Sequence, residues 1–216
     1  MSPLLAAVLL AMTAATSQAG TGVPDSQLWT ELDVGVPLTE RVMITAITQL
    51  RLSETLPNPS QTAGGLDLSY KEGEWTVTAG YRHQLTGDRI NETPNVTQEA
   101  IGAATYAHRF GRNTVAVRVR LVDTISASSN PWRARLRVEY RRATEGLGSV
   151  SFLYVNDEVF YQFSNSELYR NRAQAGVNLQ LHRDVNLRVY YQRQDTKNAQ
   201  PGAINALGLQ LAYTFD

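Results

Sequence analysis

The sequence contains no cysteine among its 216 residues, which excludes disulfides, thiolate metal sites and cysteine nucleophiles together. It also has no excess of charge, since lysine plus arginine and aspartate plus glutamate both number 20. A charge imbalance indicating nucleic acid or an acidic substrate is therefore absent. The three histidines, His83, His108 and His182, lie on different segments without metal-binding spacing. We predict no metal and no cofactor.

Long apolar runs are scarce too. The one such run, residues 3–16, is followed by Ser17-Gln18-Ala19, with small residues at the positions that a signal peptidase reads. The run is shorter than the roughly 20 residues of a membrane-spanning helix. We predict a secretory signal peptide over residues 1–19 and one domain over residues 20–216. Because no lysine or arginine precedes the run, a soluble protein with an apolar N-terminal helix is the alternative.

From residue 27 onward, apolar and polar side chains alternate with a period of two, which is typical of β-strands with two different faces. In one clear case Val115, Val117 and Val119 alternate with Arg118 and Arg120. The predicted strands cover approximately residues 27–36, 41–52, 62–71, 74–85, 98–110, 113–123, 132–142, 149–161, 169–181, 184–194 and 203–215. The fold class is all-β, an antiparallel barrel.

The predicted connections alternate between short and long, as in outer-membrane barrels with short periplasmic turns and longer extracellular loops. Single-chain bacterial barrels have even strand numbers, so the eleven segments suggest one strand missed or split, and we predict ten to twelve. The apolar phase slips between Phe152-Tyr154 and Val155-Asp157, which predicts a β-bulge near Val155-Asn156-Asp157.

Arginine is concentrated on one face of the strands, and this decides which face is inside. An arginine facing lipid near the bilayer midplane would cost about 2–4 kcal/mol, so the arginine face lines the lumen. The strands are long enough to cross the hydrocarbon, and their apolar faces end in aromatic residues such as Trp75 and Trp132. The predicted luminal charge network, structural or facing a solute, comprises Arg118, Arg120, Arg133, Arg135, Arg137, Glu139, Glu158, Arg170, Arg172 and Arg188. Buried charges need partners, so we expect a largely plugged lumen.

Several segments resemble a known family. They are Trp132-Arg133-Ala134-Arg135-Leu136-Arg137-Val138-Glu139-Tyr140-Arg141, Val155-Asn156-Asp157-Glu158-Val159-Phe160-Tyr161 and Tyr169-Arg170-Asn171-Arg172. In their order and spacing they resemble the bacterial outer-membrane family catalogued as domain of unknown function 2490 (DUF2490). The resemblance covers most of the predicted mature chain. It implies a barrel fold and an outer-membrane address, and it carries no activity or catalytic residues.

The C-terminal segment predicts a partner. Leu209, Leu211, Tyr213 and Phe215 alternate with other residues as in the terminal strand that the barrel-assembly machinery reads, although Asp216 follows the closing aromatic. The other expected partners are outer-membrane lipid and a small solute.

Catalytic groups are not evident in the sequence. Ser69 and Ser151 have no nucleophile signature around them, and a serine nucleophile needs a base within reach. Asp157 and Glu158 are neighbours in a strand and so point to opposite faces. We expect Glu158 to pair with an arginine of the 132–142 strand, and we predict that the protein is not an enzyme.

The sequence therefore predicts an outer-membrane β-barrel of a Gram-negative bacterium, with a structural role or with binding or passage of a small anionic solute. Two alternatives stay open. One is a lipid-active enzyme that works at the barrel wall, and the other is a soluble, secreted lipocalin-like barrel.

Overall fold

The computed structural model describes residues 24–53, 60–87, 95–125, 132–164, 166–197, 199 and 202–215. The predicted signal peptide, residues 1–19, lies outside the described residues. No helix in this part of the chain is long and apolar enough to cross a membrane.

Eleven β-strands make up the described part of the chain. Their bounds are β1 Asp25–Pro37, β2 Val42–Ser53, β3 Gln61–Glu72, β4 Trp75–Thr86, β5 Asn95–Phe110, β6 Asn113–Thr124, β7 Arg133–Ala143, β8 Val150–Gln162, β9 Glu167–His182, β10 Val185–Thr196 and β11 Ala203–Thr214. Each predicted segment corresponds to one strand, with its ends within three residues of the observed bounds. The period-two alternation was sufficient to find them.

The strands form one closed barrel in which each strand pairs with its neighbours in the sequence. All of these pairs are antiparallel except the closing pair, β1 with β11, which is parallel. The eleven described strands fall within the predicted ten to twelve, and the antiparallel prediction is confirmed for every pair except the closing one. The expectation that one strand had been missed or split is wrong for the described residues. An up-and-down meander of eleven strands brings its first and last strands together in the same direction, so closure has to be parallel.

The strand bounds leave segments between strands that are shorter on average at one rim than at the other, with the six-residue segment 144–149 as the long member of the first set. Residues 38–41, 73–74, 111–112, 144–149 and 183–184 connect strands at the first rim, and residues 54–60, 87–94, 125–132, 163–166 and 197–202 at the second. We call these the short rim and the long rim. Gly73 and Gly111 adopt φ of 57° and 60° in two-residue connections, where tight hairpin turns require positive φ.

The barrel buries polar side chains and exposes apolar ones. Leu66 is 57% exposed and Trp75 is 55% exposed, whereas Glu139 and Gln192 are each 1% exposed. The same inversion runs along single strands. In β6, Val117 and Val119 are exposed, while Arg118 and Arg120 are partly buried on the other face. The core of the molecule is thus a layer of hydrogen-bonded and charged side chains.

The β-bulges lie elsewhere than predicted. The register of β8 with β9 shifts between Val150 and Phe152 and between Phe160 and Tyr161, and not near Val155-Asn156-Asp157. The predicted slip counted Phe152 and Tyr154 with the apolar phase of the strand. Tyr154 and Phe160 are instead buried in the interior, so the alternation of β8 is unbroken through its middle.

Candidate functional site: the arginine-lined interior

A cavity of about 370 Å³ lies inside the barrel. Ten arginines and five carboxylates line it, so five arginine charges have no counterpart in its lining. The arginines are Arg51, Arg82, Arg118, Arg120, Arg133, Arg135, Arg137, Arg170, Arg172 and Arg188. The carboxylates are Glu31, Asp33, Asp67, Glu99 and Glu158. Of the ten residues predicted for the luminal network, only Glu139 is not in the lining, and it is fully buried beside Arg137.

Two cross-strand rows of side chains cross strands β6 to β9 inside the barrel. The register places Arg118 opposite Arg137, Arg137 opposite Glu158 and Glu158 opposite Arg172. We call these four residues the Glu158 row. Two residues further along each strand, Arg120, Arg135, Phe160 and Arg170 oppose one another in the same order, and we call them the Phe160 row.

Glu158 is the centre of its row. It accepts a hydrogen bond from Arg118 Nη2 at 2.8 Å and one from Arg172 Nη1 at 3.5 Å. The expected partner on β7 is wrong, because Arg137 turns to Glu139 at 3.5 Å. Arg172, the register partner on β9, does pair with Glu158, whereas Arg118 reaches it from β6 across the intervening strand β7. Glu158 therefore links β6 and β9 across the strands between them.

A second carboxylate, Glu139, anchors the interior closer to the short rim. It pairs with Arg137 and with Arg141, and Asn156 Nδ2 donates a hydrogen bond to it at 3.4 Å. Asn156 also donates to Gln174 Oε1 at 2.8 Å. The network thus extends along the inner faces of β7, β8 and β9.

Glu99 and Asp67 carry the network toward β3, β4 and β5. Arg133 Nη2 donates to Glu99 Oε1 at 2.5 Å, and Arg82 binds Asp67 with both terminal nitrogens at 2.8 Å each. Glycine makes room for the second pair, because a Cβ atom at Gly80 would stand 2.1 Å from Asp67 Oδ1. This bidentate geometry is the strong form of the arginine–carboxylate contact.

The wall formed by β1, β2 and β11 has a different chemistry. Gln210 Nε2 donates to Glu31 and to Asp33, at 2.6 Å in each case, and Gln49 also donates to Glu31. Neither carboxylate forms an ion pair with a described residue. Glutamine amides therefore take the place of arginine beside these two carboxylates.

Trp29 on β1 connects this wall with the arginine-rich wall formed by β6 to β9. The guanidinium of Arg51 lies 3.8 Å from the centre of its ring, and that of Arg172 lies 5.1 Å from it. The sequence prediction of the luminal network omitted Arg51, Glu31 and Asp33. These residues could have been found from the sequence, because every second residue along β1 and β2 points inward. This is the same alternation that located the strands.

The residues considered for catalysis are engaged elsewhere. Ser69 Oγ is hydrogen-bonded to Thr78 Oγ1 at 3.0 Å, and Ser151 Oγ accepts from Asn178 Nδ2 at 2.7 Å. Asp157 faces away from Glu158 and accepts a hydrogen bond from Asn171 Nδ2 at 2.9 Å. The described residues contain no group of three or more histidine, aspartate or glutamate side chains that could hold a metal ion.

At the short rim, Glu74 lies 2.7 Å from His108 Nδ1. A hydrogen bond from Tyr106, and then the one from His108, lowers the pKa of Glu74. His182 lies at the same rim, 3.3 Å from Asp184. Both histidine side chains are more than half exposed.

Comparison with known proteins identifies the family. A family model described as a protein of unknown function, DUF2490, matches residues 26–205. The chain belongs to the DUF2490 family. The match begins in β1 and ends in β11, so it covers nearly the whole barrel, and the resemblance read from the sequence motifs is confirmed. No curated protein matches the chain.

Proposed function

We propose that this DUF2490 protein is an integral outer-membrane barrel of a Gram-negative bacterium, and that its arginine-lined interior binds a small anionic solute without forming a wide pore. The observation that carries the proposal is the inverted burial of the barrel, with apolar side chains outside and charged side chains inside.

The outer surface supports the membrane part of the proposal. Exposed Leu66 and Leu68 on β3, Val77 on β4 and Val119 and Leu121 on β6 belong to an apolar surface that continues around the barrel. Monomeric soluble proteins rarely expose apolar patches larger than a few hundred Å². The strands are 11 to 16 residues long, and tilted strands of about nine to eleven residues suffice to cross the hydrocarbon. Lipid chains are thus the natural solvent for this surface.

Aromatic side chains at both rims agree with the same reading. Trp75 and Phe110 are exposed near the short rim, and Trp132 and Phe163 are exposed near the long rim. Two aromatic girdles flank the apolar band of known outer-membrane barrels. In that setting the short rim is periplasmic and the long rim is extracellular.

The interior supports binding over free conduction. Arg118 and Arg172 meet at Glu158, and Arg51 and Arg172 both pack against the Trp29 ring, so side chains from distant strands touch inside the barrel. The surplus of arginine over carboxylate favours an anion as the solute. A lipocalin-like barrel holds apolar ligands in an apolar interior, which is the opposite arrangement. The lipid-active alternative needs a serine with a histidine base, and no described serine has a histidine at hydrogen-bonding distance.

Membrane fractionation of cells that express the full chain tests the proposal. We expect the protein in the outer-membrane fraction, with heat-modifiable migration in gel electrophoresis. Purified protein in planar bilayers should show no large single-channel conductance. Recovery in the soluble periplasmic or extracellular fraction would refute the membrane part, and large, stable channels would refute a filled lumen.

A further inference from the structure

We infer that the three arginines of the Phe160 row, Arg120, Arg135 and Arg170, bind one doubly charged oxyanion, the phosphate group of a small solute. This inference rests on the anion-binding part of the proposed function and names its ligand class and its site. It does not depend on where in the cell the barrel resides.

The Phe160 row contains three positive charges and no negative charge. Arg120 faces Arg135 directly across the β6–β7 pair, and Phe160 separates Arg135 from Arg170. Like charges directly opposite each other destabilise a sheet. An anion between the guanidinium groups would remove this repulsion.

The second step is a comparison with the Glu158 row, which repeats the same pattern two residues away. There the β8 position holds a carboxylate that binds Arg118 and Arg172. In the Phe160 row the β8 position holds an aromatic ring, which has no charge. The Phe160 row therefore has the cations of its neighbour without the anion.

The third step is that nearby groups do not replace this anion. Arg120 forms no ion pair or hydrogen bond with any described residue, and its Nε atom is buried without a partner. Arg170 Nε donates only to the neutral Thr196 hydroxyl, at 3.2 Å. Arg135 approaches Glu99 no closer than 4.0 Å, because Glu99 is held by Arg133. A buried cation without a closely bound carboxylate is costly, so these three groups favour a bound anion.

The surroundings fit an oxyanion. The guanidinium carbons of Arg135 and Arg170 lie 5.0 Å and 5.5 Å from the centre of the Phe160 ring, which orients them beside the cavity. Ala103, a small residue, opposes Arg120 on β5 and leaves space beside it. Guanidinium groups match phosphate oxygens with paired hydrogen bonds. Three cations with one distant carboxylate suit a dianion better than a singly charged ion.

The Phe160 row lies nearer the long rim than the Glu158 row does. Along β6, Arg120 lies closer to the long rim than Arg118 does, and along β7 Arg135 is only two residues from the strand end at that rim. A phosphate that enters from the long rim therefore meets the Phe160 row before the Glu158 row.

Calorimetric titration of the full chain, folded in detergent micelles, tests the inference with inorganic phosphate as the probe. We expect one phosphate per barrel and no comparable heat from chloride at equal ionic strength. Arg120→Gln should weaken phosphate binding by about tenfold or more, which is the scale of one lost charge-assisted hydrogen bond. Phe160→Glu should abolish binding, because it supplies the carboxylate that the row lacks.

Arg112→Gln is the control, since it removes one arginine that lies outside the cavity lining. Arg112 pairs with Glu145 at the exposed short rim, and we expect a change of less than about twofold, from long-range electrostatics alone. Heat-modifiable migration verifies that each variant is folded. Absence of phosphate binding by the wild type, equal weakening by Arg120→Gln and Arg112→Gln, or full binding by Phe160→Glu would each overturn the inference. Fractionation reads the membrane location separately, so either claim can fail alone.

Discussion

The two walls of the barrel interior stabilise their buried charges in different ways. Strands β6 to β9 carry arginines that converge on Glu158 and Glu139. On the opposite wall, β1 carries Glu31 and Asp33, which are hydrogen-bonded to glutamine amides. The order of strands in the barrel places β1 across from β6 and β7.

The difference shows where the interior depends on ion pairs. On the arginine wall a single carboxylate holds several guanidinium groups from different strands, so its loss leaves several buried cations without a partner. On the β1 wall Glu31 and Asp33 accept hydrogen bonds from neutral amides, which a neutral side chain can also accept. We therefore expect the arginine wall to be far more sensitive to the loss of a carboxylate.

Removal of β11 should have the largest effect, because it opens the β1 wall. Deletion of residues 207–216 removes most of the parallel pairing with β1 and the side chains Leu209, Leu211, Tyr213 and Phe215. An unpaired strand edge cannot be tolerated in lipid. We expect no outer-membrane insertion, measured by fractionation and heat-modifiable migration. Normal insertion of the truncated chain would contradict both the closure and the predicted reading of this strand by the assembly machinery.

Glu158→Ala should give the next largest effect. Its loss removes the anion shared by Arg118 and Arg172, and breaking a buried ion pair in this way costs about 3–5 kcal/mol. The measurement is the free energy of unfolding in detergent by denaturant titration. Glu145→Ala is the control, since Glu145 pairs with Arg112 at the exposed short rim, and it should leave the stability unchanged. Similar stabilities of Glu158→Ala and wild type would remove the central role of Glu158.

Asp33→Asn should have a much smaller effect, although it also removes an interior carboxylate. Asparagine still offers an oxygen to Gln210 Nε2, and a net hydrogen bond is worth about 1 kcal/mol. We expect the free energy of unfolding to change by no more than about that amount. A loss as large as that of Glu158→Ala would show that the two walls do not differ.

The smallest effect should come from the short rim, outside both walls. The pKa of Glu74 is lowered by hydrogen bonding to Tyr106 and His108, so its contribution to stability is present above the usual carboxyl pKa of 4.5 and is lost as the pH falls through the lower folded-state value. Glu74→Gln should be slightly less stable than wild type at neutral pH, with the difference vanishing in acid. Unfolding of both proteins across this pH range checks it, and a constant difference would argue against the interaction.

The sequence was sufficient for the strands because every strand keeps one polar and one apolar face. The parallel closure was not predictable in this way, since alternation within a strand says nothing about how the first and last strands meet. The rule that single-chain bacterial barrels have even strand numbers suggested that one of the eleven predicted segments was missed or split, whereas the described chain forms a barrel of eleven strands.

The sequence predicted which residues line the interior better than it predicted which of them pair with each other. The arginines of β6, β7 and β9 were identified because they alternate with aliphatic residues. Their partners were not, because Arg118 reaches Glu158 across the intervening strand β7. Tyr154 and Phe160 were likewise absent from the predicted interior, although both are buried there. An aromatic ring can pack against guanidinium groups as well as against lipid, and Phe160 does the former.

The three tryptophans offer the most direct test that the apolar face meets lipid and the arginine face does not. Trp75 and Trp132 lie on the outside near opposite rims, and Trp29 is buried in the interior. Variants that keep one tryptophan and carry phenylalanine at the other two positions can be reconstituted into bilayers of lipid brominated near the headgroup end of its chains. We predict strong fluorescence quenching of Trp75 and Trp132 and little quenching of Trp29. Strong quenching of Trp29 with protection of the other two would contradict the account.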